Sequence, residues 1–144
     1  MRVEQTFTIS RPPEVVFDYV ANPANLASWQ TANTLVEQLT EGQPRLGSRY
    51  RERVKPTMGK QFDQVVEFAD FERPHRLRVH VVEGPYPIDG AWTFEPVDAG
   101  TSVSFVADGE LTGPLKLLEP LARRALARQF RDYHRNLTRE LEHR

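Results

Sequence analysis

"PLARRALARQFRDYHRNLTRELE", Pro120 to Glu142, carries one periodicity from end to end. Leu126, Phe130, Tyr133, Leu137 and Leu141 recur in it at steps of three and four, the spacing of a single helix face. Leu115, Leu118 and Ala122 extend the same stripe upstream. Pro120 either kinks this helix or marks its true start, because proline has no N–H to donate in a helix interior. From Pro120 to Glu142 the rod is roughly 34 Å long, at about 1.5 Å per residue. Such a stripe needs an apolar surface to cover it.

That surface is encoded upstream. Six runs with strand texture, at 34–40, 48–55, 61–70, 75–83, 88–96 and 101–109, are separated by "EGQPRLG", "KPTMGK", "FERP", "EGPYP" and "PVDAG". Glycine and proline in these short breaks suit turns between neighbouring strands, so the runs form an antiparallel meander. Alternation assigns their faces. In "SRYRERVK", Tyr50, Glu52 and Val54 point one way, while Arg49, Arg51, Arg53 and Lys55 form a solvated row on the other. Phe62, Gln64, Val66 and Phe68 continue the inner row, with Leu77, Val79 and Val81, then Trp92 and Phe94, then Val103 and Phe105. The 34–40 run stays ambiguous, since Leu35 and Leu39 share a face with Glu37.

A seventh strand opens the chain, with Val3, Gln5, Phe7 and Ile9 on one side. "SRPPEVVFDYVANPANLASW" follows it. Pro12 and Pro13 suit a first helical turn, where a missing N–H costs nothing, and Glu14 favours the positive end of the dipole. Val16, Phe17 and Val20 share a face; Asn22-Pro23 ends this helix, and a second short one runs from Ala24 to Trp29. Trp29 ends a segment too short for a core helix, so it turns inward to plug or rim a space between sheet and rod. One long helix must cover seven strands, which requires a strongly curved sheet wrapped around it. The fold class is α+β, in a single domain spanning 1–144.

Composition limits the functions. The 144 residues hold 39% hydrophobic and 27% charged side chains, an ordinary globular balance. A net charge of −1 supplies no overall basic field for nucleic acid or an anionic membrane. No apolar run reaches membrane-spanning length and the first residues lack a signal core, so neither membrane insertion nor export is expected and the cytoplasm is the default compartment. With no cysteine, disulfides and thiolate chemistry are absent. His75, His80, His134 and His143 lack ligand spacing and are read as surface or structural histidines; no metal site and no cofactor are expected. Helix pairs such as Arg128–Asp132 and Asp132–Arg135 have ordinary surface spacing.

"ISRPPEVVFDYVANPANLASW", the Gly-led strand "LGSRYRERV", "WTFEPVDAGTSVSF" with its Gly100-Thr101 hairpin, and the Leu-rich terminal helix together resemble the polyketide cyclase/dehydrase and lipid-transport family of the START-like (SRPBCC, birch-pollen-allergen-like) superfamily. The resemblance covers essentially the whole chain and implies the helix-grip fold. It implies binding, and transport, of a small hydrophobic ligand such as a lipid or polyketide-like aromatic in an internal cavity. A cyclase or dehydratase and a protein-interaction module are the alternatives, because the fold alone does not fix the chemistry. Monomer and homodimer stay open.

Within that frame, the expected ligand-lining residues are Trp29, Tyr50, Glu52, Gln64, Val66, Val79, Trp92, Phe105, Phe130 and Tyr133. Trp29 and Trp92 also serve packing, since aromatics contribute mainly buried area. Glu52 is the sharpest candidate. An ionised carboxylate on an apolar strand face costs several kcal/mol to bury unless it is paired or protonated. It sits near a wet cavity mouth, pairs with an arginine, or acts beside Tyr50 and Gln64 as a hydrogen-bond partner of the ligand or a general acid/base. The loops 55–60 and 83–87 are the expected rims of the entrance, with Met58 and Tyr86 as apolar tips.

Overall fold

The computed structural model describes residues 1–56 and 59–144. Met58, expected at the entrance, lies outside the described residues. Strands β1 (Arg2–Ile9), β2 (Asn33–Gln38), β3 (Arg49–Val54), β4 (Phe62–Glu72), β5 (Arg76–Glu83), β6 (Ile88–Val97) and β7 (Gly100–Gly109) form one antiparallel sheet in the order β1-β7-β6-β5-β4-β3-β2. Helix α1 (Pro13–Val20), a 3₁₀ turn (Pro23–Asn25) and α2 (Leu26–Trp29) follow β1. A 3₁₀ turn (Gly113–Leu118) leads into α3 (Glu119–Glu142), where Pro120 occupies the first turn and marks the start of the helix. The architecture is the helix-grip arrangement.

The meander from β2 to β7 follows from short connections, and β1 closes against β7, where Val3 stands opposite Ala107 and Phe7 opposite Val103. Three bulges bend the sheet. Thr34 is the extra residue between Asn33, which faces Val54, and Leu35, which faces Arg53. Val82 and Ala69 are extra where β5 meets β4. A bulge locally bends and twists its strand, which a sheet wrapping a helix requires. The Thr34 bulge also settles the ambiguous strand. Asn33 and Val36 face inward, whereas Leu35 and Leu39 are exposed.

The outward row of β3 is a cross-strand ladder of opposite charges: Arg49–Glu67 at 2.8 Å, Arg51–Glu37 at 2.8 Å and Arg53–Asp63 at 2.9 Å. These exposed pairs add little stability each, but they fix register and hold the arginines away from the core. At the β6–β7 hairpin, Gly100 has φ +138°, and a Cβ there would lie 2.3 Å from the Ile9 carbonyl oxygen. Only glycine lets the hairpin approach the end of β1 so closely. Thr101 next to it donates from Oγ1 to the Arg11 carbonyl at 2.6 Å.

The core lies where α1, α2 and the C-terminal half of α3 meet the sheet. Val16, Phe17, Leu26, Trp29, Phe68, Leu77, Phe94, Val103, Phe105, Leu137 and Leu141 are almost fully buried. The stripe on α3 is not buried along its whole length. Tyr133, Leu137 and Leu141 are enclosed, Ala122, Leu126 and Phe130 are half-buried, and Leu115 and Leu118 are exposed. Burial of the stripe therefore falls from the C-terminal half of α3 to its N-terminal half.

Candidate functional site

Trp29 sits against the buried half of α3. Its indole has no exposed surface, stacks on His134 at 6.3 Å and meets Trp92 and Tyr133 edge-on. Its carbonyl accepts from Asn136 Nδ2 at 3.2 Å, so α2 is pinned to α3 by both backbone and ring. The residue is therefore an anchor of the short helix.

Beneath it runs a polar relay through the core. Trp92 Nε1 donates to His134 Nε2 at 3.2 Å, and His134 Nδ1 lies 2.8 Å from Gln5 Oε1. An indole N–H can only donate, so His134 Nε2 is unprotonated and Nδ1 carries the hydrogen given to Gln5. Gln5 Nε2 in turn donates to the Ala127 carbonyl at 2.8 Å. Burial drives the His134 pKa down to about 3, which keeps the ring neutral. His134 is structural, and every polar atom of its ring is satisfied.

Glu52 occupies a different position, facing inward on β3, with 4% of its surface exposed. Its carboxylate accepts from Asn33 Nδ2 and, at 3.0 Å, from Gln64 Nε2. Asn33 accompanies it because the Thr34 bulge turns that side chain inward, and Gln64 because it is the cross-strand partner on β4. Among the described residues no cation pairs with Glu52, since Arg51 and Arg53 bond outward. Desolvation raises its pKa above the usual carboxylate value, and the two amide hydrogen bonds pull it part of the way back. Burial, and secondly the Glu52 charge, raise the pKa values of Tyr50 and Tyr133, so both phenols remain protonated. Two phenolic hydroxyls, two amides and one carboxyl of raised pKa thus share one corner.

Around this corner the inward side chains are apolar but not enclosed. Val36, Val79, Val81, Leu126 and Phe130 pack against the core and remain half-buried. Phe130 stacks on Phe105 at 4.4 Å. Tyr86 is exposed and meets Phe62 edge-on at 5.1 Å, which places the 83–87 loop beside the start of β4. Of the sequence candidates, Val66, Trp92, Phe105 and Trp29 are buried in the core, and Tyr50, Glu52, Gln64 and Tyr133 make up the polar corner. Val79 and Phe130 belong to the half-covered rim. Asn33 was not among those candidates: it stands just outside the alternating run, and only the bulge brings it to Glu52. Two concavities, of about 430 and 490 Å³, lie away from this corner, one between β1 and α3 and one near Pro87 and Gly109.

A family model described as polyketide cyclase/dehydrase and lipid transport matches residues 1–142. The chain belongs to that family. No curated protein matches it. Among solved structures, TTHA0849 from Thermus thermophilus superposes with a TM-score of 0.81 at 24% identity, covering 98% of this chain and 97% of that one. CV1439 from Chromobacterium violaceum gives 0.76 at 18% identity over 99% and 98% of the two chains. SA2116 from Staphylococcus aureus, a protein of unknown function by its own description, gives 0.77 at 15% identity over 99% and 93%. At these identities the likeness establishes the fold. In this member of the polyketide cyclase/dehydrase and lipid-transport family, no helix among the described residues is long and apolar enough to cross a membrane. No cluster of three or more potential metal ligands occurs among them either.

Proposed function

We propose that the protein binds a small hydrophobic molecule, a lipid or polyketide-like aromatic, against the inward face between the N-terminal half of α3 and strands β2 to β6. The observation that carries this reading is the half-burial of Val36, Val79, Val81, Leu126 and Phe130 on the side of the sheet that should be core. Covering such surface with an apolar ligand removes it from water at roughly 25 cal/mol per Å². Glu52, Gln64, Tyr50 and Tyr133 then offer hydrogen bonds to one polar group of the ligand. A few convergent polar groups in an apolar surround are the usual composition of a small-molecule site.

A second reading rests on the same corner. A carboxyl group with a raised pKa, beside phenols that stay protonated, is suited to move a proton to or from a carbon next to a carbonyl. Glu52 would take the proton and a tyrosine hydroxyl would donate to the developing enolate oxygen, which is cyclase or dehydratase chemistry.

Native mass spectrometry of the purified chain tests the binding reading. A co-purifying hydrophobic adduct, displaced by an added fatty acid and bound more weakly by Glu52→Gln, is the expected result. A bare protein that also fails to bind anilinonaphthalene sulfonate would reject it. Turnover of a β-polyketone analogue that disappears in Glu52→Gln would favour the enzyme.

A further inference from the structure

We propose that residues 113–131 form a docking surface for an anionic lipid bilayer. The net charge of −1 conceals a segregation. Between Gly113 and Arg131 the chain carries Lys116, Arg123, Arg124, Arg128 and Arg131 against a single acid, Glu119, a local charge of +4 that leaves −5 on the remainder. Glu119 is turned back, accepting from the Leu111 backbone N–H at 3.0 Å. Among the described residues Arg124, Arg128 and Arg131 have no carboxylate partner, while nearby Arg2 is taken by Glu4 and Arg135 by Asp132.

The same segment carries the largest group of exposed leucines in the molecule. Leu117 is 87% exposed, and Leu115, Leu118 and Leu121 are exposed with it. Leu121, Arg124 and Arg128 follow one another at steps of three and four on the outward face of α3. Arg123, Arg124, Arg128 and Arg131 line the 430 Å³ groove beside Val3, Glu4 and Gln5 on β1. Leucines beside unpaired guanidinium groups match the two layers of a bilayer surface, acyl chains below and phosphates above. Arginine suits the phosphates because its planar fork bonds two oxygens at once. A second copy of the chain is a poorer occupant, since a symmetric contact through this patch would bring two arginine clusters together.

This surface does not depend on the ligand reading, and vesicles can test it without any ligand. The full chain should sediment with vesicles containing about one-third phosphatidylglycerol and not with pure phosphatidylcholine, and should be released as ionic strength rises from about 0.05 to 0.5 M. Removing one exposed arginine should lower partitioning about fivefold, and the triple change Arg124→Gln/Arg128→Gln/Arg131→Gln roughly a hundredfold. Leu117→Ser/Leu121→Ser should lower it severalfold while preserving the salt dependence, with melting midpoints of both variants unchanged. Three results would each overturn the proposal: equal partitioning onto both vesicle types or onto neither; inorganic phosphate displacing the protein at matched ionic strength, which would make the groove a free-anion site; or a concentration-dependent dimer abolished by the leucine changes. If the arginine variant fails to fold, the salt and phosphate arms on the unaltered chain decide alone.

Discussion

The two halves of α3 share one apolar spacing and meet different surroundings. From Tyr133 to Leu141 the stripe is buried, whereas from Ala122 to Phe130 it is only half-covered, and the 3₁₀ turn before it exposes Leu115, Leu117 and Leu118. Periodicity states which face of a helix is apolar. It does not state whether anything lies opposite. The C-terminal half finds the fully packed aromatic core, where each removed methylene leaves a cavity. In the other half the same kinds of side chain keep contact with solvent. Stability is concentrated in the first region and, on the reading above, binding in the second.

The largest expected contrast is between truncations in the two halves. Leu137→Ala should cost about 3–5 kcal/mol, because the residue is fully enclosed, and Leu126→Ala about 1 kcal/mol. Chemical denaturation of both variants measures this, and equal losses would abolish the distinction.

Acidification probes the closed half next. The folded-state pKa of His134, about 3, lies below the ordinary value of 6.5, so the folded chain binds fewer protons between these limits. The stability His134 contributes is present above pH 6.5 and is lost as pH falls, by up to about 1.4 kcal/mol per unit. His134→Gln should flatten the slope between pH 6 and pH 4 relative to the unaltered chain. An unchanged slope would mean that the ring is charged or solvated.

Phe130 marks the boundary. Half-buried and stacked on Phe105, it should lose about 1.5–3 kcal/mol on truncation to alanine, between the two leucines. A loss of 4 kcal/mol or more would move the boundary toward the helix start.

The smallest effect belongs to the open half. With its pKa raised above 4.5, Glu52 opposes folding once pH exceeds that value, because the ionised form is the buried one that water would hydrate better. Glu52→Gln should gain up to about 1 kcal/mol at pH 7, with the gain fading as pH falls below about 4.5. Weaker ligand binding in the same variant is the trade-off expected of a functional group. Destabilisation with affinity intact would make Glu52 a structural residue.

Several of these residues are legible in the sequence. Tyr50, Glu52 and Val54 face inward and the arginines between them outward because strand alternation is a local rule, set by the pleat. The strand count, the turns and the terminal helix are equally local, carried by glycine, proline and a change of period from two to about 3.6. Other features required the fold. Alternation left the inward face of the 34–40 run undecided, and Leu35 and Leu39 are exposed, since one extra residue at Thr34 inverts the faces on either side of it. That bulge, and the curvature it helps create, depend on pairing with β3 and leave no mark in composition. Asn33 joins Glu52 through it, 19 residues away in the chain. His134 looked like any histidine on a helix; its neutral tautomer is set by Trp92 and Gln5, 42 and 129 residues distant. The sequence by itself determined the elements and most of their apolar faces, because those follow from neighbours a few residues apart. Which faces close on one another, which stay open, and which polar groups meet inside were decided only by tertiary structure, because they depend on contacts between segments far apart in the chain.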